Sequence, residues 1–296
     1  MILNMQEKNA TGSRSGIEFD ALSESASGIN KNRKINEDYK YIDKERNIFV
    51  IADGLGGHGN GSEASRITVQ TVAYRLTKLY ERLKEKDYPP ENIQEGIKGV
   101  IEYTNSQIMY PIAEFSKDLQ NFGTTLVSFF CHNGIAYLHN VGDSHAFSYR
   151  NNHQHGANSL FQLTQDDRIQ NGHKGCSKEE LKIHSINARL KQYIGNEHIQ
   201  VHSNRVNVHN NDMFLLTTDG ILDPVSKLEI AEIISEEKFE DVPGKLVNRA
   251  NNPILVPLFY SKFKGVSINT AQKILAGKDD ITFILLRARE VNKHGT

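Results

Sequence analysis

Two amphipathic stretches stand back to back in the first half of this chain, and they limit the folds open to it. In 62–86, Val69, Val72, Leu76, Leu79 and Leu83 recur at steps of three and four, and in 91–116 Ile93, Ile97, Val100, Ile101, Thr104 and Ile108 do the same. Each set falls on one face of a helix, as an apolar stripe about 100° wide. Pro89-Pro90 separates the two and leaves Glu91 and Asn92 near the second start. Most of the rest reads as β. Apolar-rich stretches cover 17–22 and 39–42, and Asn47–Ala52 reads as a buried strand that stops at the turn pair Asp53-Gly54. Further strands are expected at 124–130, 135–141, 146–149, 160–163, 199–209, 213–218 and 281–287, with Asn133-Gly134 as a hairpin turn. Late helices are expected over Ser226–Glu236 and 242–251. A parallel α/β chain would alternate strand and helix throughout. This order instead predicts an α+β fold, two antiparallel sheets packed as a sandwich and flanked by helices.

No repeat, low-complexity tract or linker divides the chain, so one domain is expected over 17–290, after a flexible polar segment 1–16. With 296 residues, 38% of them hydrophobic, a substantial core is within reach. The net charge of -1 supplies no basic field, so neither nucleic acid nor an anionic membrane is an expected partner. No apolar run approaches the roughly 20 residues that span a bilayer. The start lacks the apolar stretch of a signal peptide, since Asn4, Gln6, Glu7 and Lys8 interrupt it, and a cytoplasmic protein is expected. Cys131 and Cys176 are too few for a disulfide framework.

The chemistry lies in the aspartates. Asp53 ends the apolar run Phe49–Ala52, Asp219 ends Met213–Thr218, Asp279 precedes Ile281–Leu286, and Asp143 sits between two strands. Turn preference explains any one of them. Their recurrence points further: strand ends that meet at one edge of a sandwich would gather carboxylates whose like charges raise one another's pKa. A divalent cation relieves that cost, and hard oxygen donors select Mg²⁺ or Mn²⁺. Glycine after Asp53 would let a backbone carbonyl approach such an ion. Glu37-Asp38 adds acid before a strand, and Arg33 lies four residues upstream, with the planar fork that suits phosphate. Together these residues suit transfer of a phosphoryl group to water, for which a metal pair roughly 3.5–4 Å apart is an established device. Gly54-Leu55-Gly56-Gly57-His58-Gly59 also matches a dinucleotide-binding loop. No acidic strand end follows about 20 residues later, and Asp53 at its mouth would repel a pyrophosphate.

The motifs, in order, are Arg33-Lys34-Ile35-Asn36-Glu37-Asp38, Ala52-Asp53-Gly54-Leu55-Gly56-Gly57-His58, Gly123-Thr124-Thr125, Val141-Gly142-Asp143-Ser144, Leu163-Thr164-Gln165-Asp166, Thr218-Asp219-Gly220-Ile221 and Asp279-Asp280-Ile281-Thr282. From about 17 to 287 the chain resembles the metal-dependent protein phosphatases of the PP2C type, bacterial members above all. The resemblance implies a four-layer αββα sandwich that hydrolyses phosphoserine and phosphothreonine in proteins. The nucleophile would be a water or hydroxide bridging two Mn²⁺ or Mg²⁺ ions. It implies that Asp53 bridges both ions, that Asp219 and Asp279 complete one, and that the Gly54 carbonyl with Glu37 and Asp38 serves the other. Asp143 holds the position of a weaker third ion, Arg33 would grip the substrate phosphate, and His58 is the candidate general acid for the leaving oxygen. The expected partners are phosphoproteins, in opposition to a serine/threonine kinase, and the expected state is a monomer.

Departures from the family pattern are His145 after Gly-Asp-Ser, Asp167 after Asp166, Asp280 beside Asp279, and a long segment at about 251–278. They motivate an alternative, a catalytically inactive module that binds phosphoproteins. A small-molecule phosphatase would share the metal chemistry. The loop at about 165–195, with a short helix expected near Lys178–His184, stands where the family carries a variable flap. Its Arg168, Lys174, Lys178 and Lys182 could guide a phosphoprotein. His153-x-His155 has no zinc-like spacing around it.

Overall fold

Antiparallel strands commonly bury one face and alternate apolar with polar residues. Here the runs are continuously apolar because the strands are covered on both faces. In β3 (Ile48–Leu55), Ile48, Val50 and Ala52 pack against helices, while Phe49 and Ile51 face the opposite sheet. In β10 (Met213–Thr217) and β11 (Ile281–Val291), Phe214, Leu216, Ile284 and Leu286 point between the sheets, and Leu215, Phe283 and Leu285 point to helices on the far side.

The computed structural model describes residues 16–27, 35–55, 60–115, 122–150, 159–168, 190–252 and 279–291. Arg33, His58, His153, His155, Cys176, Lys174 and the helix expected near Lys178–His184 lie outside them, as do 1–15 and all but the first two residues of the long segment at about 251–278.

One sheet runs in the order β1 (Gly16–Ala26), β11, β10, β7 (His145–Arg150), β8 (Ser159–Gln162). The other runs β2 (Asp38–Asp43), β3, β5 (Leu126–His132), β6 (Ile135–Val141), β9 (His202–Asn207), with β4 (Gly123–Thr124) on the end of β3. The pairings are antiparallel. Between the sheets, Phe19 meets Phe129 edge to face at 5.4 Å and Phe129 meets Phe214 at 5.0 Å. Helices α1 (Asn60–Glu85) and α2 (Pro90–Phe115) cover one side through Val69, Val72, Leu76, Ile93, Ile97 and Ile101. On the other side lie α3 (Asp219–Leu222), α4 (Lys227–Glu236) and α5 (Val242–Asn251). Ser226 caps α4 with a reciprocal box, its hydroxyl accepting from Glu229 N at 3.2 Å while Ser226 N donates to Glu229 Oε2 at 3.0 Å. The four-layer arrangement is the one the resemblance implies.

Three expectations change. The strand that stops at Asp53-Gly54 in the sequence reading continues to Leu55, because Gly54 pairs with Thr124 and Leu55 with Gly123. The single strand at 124–130 is broken at Thr125, whose N–H leaves the ladder for Asp53 O. The last strand extends to Val291 because it pairs with β1 over its whole length, Gly16 opposite Val291 and Ala26 opposite Ile281. The Asn133-Gly134 hairpin is as expected, both residues at positive φ, 51° and 74°. Cys131 is buried between the sheets, where burial pushes its thiol up to about 12.

His139 on β6 is buried, and its Nε2 lies 3.1 Å from Gln94 O of α2, so this nitrogen carries the proton. Burial depresses its pKa from 6.5 to about 4. The unfolded chain therefore binds a proton between those values that the native protein does not. The associated stability is complete above pH 6.5 and is lost as pH falls towards 4. By pH 5 the His139 contribution should have dropped by about 2 kcal/mol. Urea unfolding of wild type and His139→Gln at pH 7 and pH 5 checks this: the variant should lose less stability than wild type between the two.

Candidate active site

The strand ends collect at one end of the sandwich. β2 begins at Asp38, directly opposite Asp53 of β3. β10 runs out at Thr217, and Asp219 opens the single turn of α3. Asp279-Asp280 leads into β11, and Gly142-Asp143 lies between β6 and β7. Asp53 and Asp38 thus come from one sheet, and Asp219 and Asp279 from the other.

A hydrogen-bond network fixes this end, and it joins the sequence motifs to one another. Asp53 O accepts from Thr125 N at 2.8 Å and from the Thr124 hydroxyl at 2.7 Å, while Asp53 N donates to Thr125 Oγ1 at 2.9 Å. Thr125 Oγ1 lies 2.6 Å from Ser144 Oγ, which carries the network to the Asp143 loop. Glu37 O accepts from Gly54 N at 3.0 Å and from Ser65 Oγ at 2.6 Å. Glu37 N donates to Asp280 Oδ2 at 2.8 Å, across the two sheets. The Thr218 hydroxyl donates to Asp38 Oδ2 at 3.0 Å and accepts from Thr282 N at 3.1 Å.

The two Asp-Gly pairs owe their glycines to close packing. A Cβ on Gly54 would strike the Gly61 carbonyl at the start of α1, and one on Gly220 would strike the Asp280 carbonyl. Neither glycine has a positive φ, so the turn explanation does not apply to them.

The electrostatics are costly. Burial raises Asp53 well above the ordinary carboxylate range, and Asp38, Asp219, Asp279 and Asp143 add to it by repulsion. Burial also raises Asp219, with Asp143, Asp223, Asp279 and Asp38 adding. Asp38 is pushed up to about 8 by burial, helped by Asp280 and Asp279, against hydrogen bonds from Thr282 and Thr218. Asp143 is pushed up to about 6, again by burial, although the Arg168 guanidinium opposes the shift. Asp38 Oδ1 and Asp219 Oδ1 are buried with no hydrogen-bond partner among the described residues. Among those residues no set of three His, Cys, Asp or Glu side chains is already closed around a point as a ligand cage. The fit to a cation lies in the donor chemistry: buried, mutually repelling hard oxygens with unused lone pairs. Mg²⁺-like ions suit such a set because they retain several waters and need few carboxylates.

The structure therefore brings together Glu37, Asp38, Asp53, Gly54, Asp219 and Asp279. Asp143 joins them electrostatically, but its carboxylate faces Arg168 at 3.9 Å. Arg33 and His58 lie outside the described residues. Asp279 and its neighbour separate clearly: Asp280 is 1% exposed and holds the Glu37 peptide, whereas Asp279 adds to the repulsion on both Asp53 and Asp219. Sequence reasoning missed the work of Thr125, Thr218 and Asp280. Thr218 and Asp280 sit inside motifs read for a neighbouring aspartate, and Thr125 sits in Gly123-Thr124-Thr125, a motif with no aspartate to draw attention to it.

The family model for protein phosphatase 2C matches residues 29–256. The serine/threonine phosphatase stp of Listeria welshimeri is 28% identical over 212 residues, 69% of this chain and 79% of that one. The serine/threonine protein phosphatase PstP of Mycobacterium tuberculosis is 25% identical over 254 residues, 83% of this chain and 45% of that one. Among solved structures, the catalytic domain of PstP in complex with two manganese ions superposes with a TM-score of 0.69 at 21% identity, over 93% of this chain and all of that one. PppA of Pseudomonas aeruginosa gives 0.66 at 20% identity, over 92% of this chain and 100% of that one. These structural likenesses are likenesses of fold.

The Thr125 hydroxyl accepts from the buried Asp53 N–H at 2.9 Å. Thr125→Val should destabilise the protein by about 1–3 kcal/mol, the cost of stranding that N–H and the Ser144 hydroxyl. Thr125→Ser should recover most of the loss. Equal unfolding midpoints in urea for Thr125→Val and wild type would show that the bracket around Asp53 is dispensable.

Proposed function

The chain belongs to the protein phosphatase 2C family, and on that premise we propose that the carboxylates at one end of its sandwich are the metal centre with which it dephosphorylates phosphoserine and phosphothreonine in proteins. The observation that carries the reading is the pair of buried oxygens, Asp38 Oδ1 and Asp219 Oδ1, that have no partner among the described residues, beside a strongly raised Asp53. Asp53, Asp219 and Asp279 would hold one Mn²⁺ or Mg²⁺ ion. Asp53 would share in a second with the Gly54 carbonyl, Glu37 and Asp38. When bound, such an ion pair supplies positive charge to phosphate oxygens and lowers the pKa of a water between the ions.

The chain's own residues do the positioning. Thr218 sets the Asp38 carboxylate by donating to Oδ2, while Oδ1 stays buried with no partner among the described residues. Asp280 anchors the Glu37 peptide, and Thr124 and Thr125 clamp the Asp53 peptide. Arg33 is assigned to the substrate phosphate through its two-pronged donor set. His58 is assigned to protonate the serine or threonine oxygen as the P–O bond breaks and the water oxygen joins phosphorus. Substrates of this kind are made by protein serine/threonine kinases, so the enzyme works against one. An inactive binding module has no observation in its favour. His145 is buried beside Asp166, and Asp167 is engaged in holding Gly142 N, so neither departure disturbs the carboxylate cluster.

Asp219→Asn separates function from folding. It removes one repelling charge, so the metal-free variant should melt above metal-free wild type in a thermal scan. With Mn²⁺ it should gain less stability than wild type. Its turnover of a phosphothreonine peptide should fall by about 100-fold or more, beyond the usual cost of losing an outer-shell group. Near-normal turnover would show that Asp219 is not a ligand.

The His58 assignment is tested by the leaving group. His58→Ala should slow a phosphothreonine peptide by about 100-fold. It should leave p-nitrophenyl phosphate almost unchanged, because that leaving group departs without a proton. Equal losses on both substrates would assign His58 another role.

A further inference from the structure

Asp143 was expected to hold a weaker third ion, yet its surroundings already contain a cation. Arg168 Nε lies 3.9 Å from Asp143 Oδ2. The same guanidinium donates to Asp166 Oδ2 through Nη2 at 2.9 Å and to Asp166 Oδ1 through Nε at 3.1 Å. Its Nη1 reaches Asp223 Oδ1 at 3.5 Å. One side chain therefore spans three carboxylates that arrive from three parts of the sequence. It is held in place: only 12% of the Arg168 side chain and 10% of the Asp143 side chain are exposed. Arg168 N donates to Asp166 Oδ1 at 2.9 Å, and the Arg168 backbone bridges to Leu190.

Among the described residues, the other nearby groups leave the charge to Arg168. His145 Nε2 is 3.7 Å from Asp166, farther than the guanidinium, and its Nδ1 faces the Thr164 hydroxyl at 3.2 Å. Lys227 bonds to Gln162 Oε1 at 2.6 Å and lies over the Phe147 ring. A guanidinium is permanently charged and its planar fork matches a carboxylate edge, as seen at Asp166. A divalent ion brought to Asp143 would meet that positive charge at close range and would compete with it for the same oxygens. The site does not fit a third ion.

We propose that the Arg168 guanidinium is a resident cation in the pocket of Asp143, Asp166 and Asp223, so that this chain loads its ion pair and excludes a third ion at Asp143. The inference rests on the two-ion reading above, but its test is a difference between variants. The full-length chain is titrated with Mn²⁺ alone, and bound ions per chain are counted by calorimetry and by the electron paramagnetic resonance signal of free Mn²⁺.

Wild type and Asp143→Asn should bind the same number of ions. Arg168→Ala should bind one more than wild type, and the added Asp143→Asn change should remove it. Arg168→Lys, which keeps the charge, should match wild type. A wild-type count that drops by one in Asp143→Asn would overturn the proposal, and this comparison stands even if Arg168→Ala fails to fold. So would a folded Arg168→Ala with the wild-type count. Failure of the two-ion reading shows elsewhere, as an Asp53→Asn variant that keeps every ion.

Discussion

The register that sets Asp38 opposite Asp53 is the constraint on which the active end of this molecule depends. β2 and β3 could satisfy their backbone hydrogen bonds in other registers, but only registers of one parity keep Ile48, Val50 and Ala52 against the helices and Phe49 and Ile51 between the sheets. Hydrophobic burial on both faces therefore forces two carboxylates next to each other. The opposing sheet adds Asp219 and Asp279 under the same compulsion, since the ladder from Thr217–Phe283 to Met213–Arg287 fixes where β10 stops and β11 starts. The interior holds the charges together against their repulsion, and the acidic end is a strained part of an otherwise well-packed protein.

That strain explains the polar residues around it. A lone buried carboxylate would turn away or take up a proton. Here Thr124, Thr125, Ser65 and Asp280 clamp the Asp53 and Glu37 peptides and Thr218 holds the Asp38 carboxylate, so the side chains can relax only a little. Such clamping is what preorganises a metal site, because it is paid for in folding and not again at binding. It also gives a physical reason for the short motifs. Gly123-Thr124-Thr125 contributes no ligand; it exists to hold the Asp53 peptide and to reach Ser144.

Much of this was legible in the sequence. The back-to-back helices and the apolar runs gave the class of fold, because burial on one helical stripe or on both faces of a strand leaves a periodic record. The aspartates at the run ends marked the site. Less legible was anything decided by contact across the sheets. Asp53-Gly54 and Asp219-Gly220 look like turn pairs, yet the glycines answer to Gly61 at the start of α1 and to Asp280 just ahead of β11. Asp279 and Asp280 are indistinguishable by type, and only the Glu37 N–H to Asp280 bond tells the anchor from its neighbour. Arg168 reads as a loop charge until the fold sets Asp143 and Asp223 beside it. One-dimensional patterns record burial well and record pairwise choices poorly.

The pairing of β1 with β11 has a consequence for how the protein comes into being. Gly16 and Val291 are neighbours, so the sheet that holds β1 is incomplete until β11 has been synthesised. Until then β1 has no partner on its β11 side, and Glu37 lacks the Asp280 carboxylate 243 positions away. Contacts of such long range form late and slowly. The nascent chain can assemble the helices and the first sheet early, but its acidic centre closes only once Asp279, Asp280 and β11 have been made. A phosphatase built this way gains its acidic centre in one late step, when β11 closes on β1.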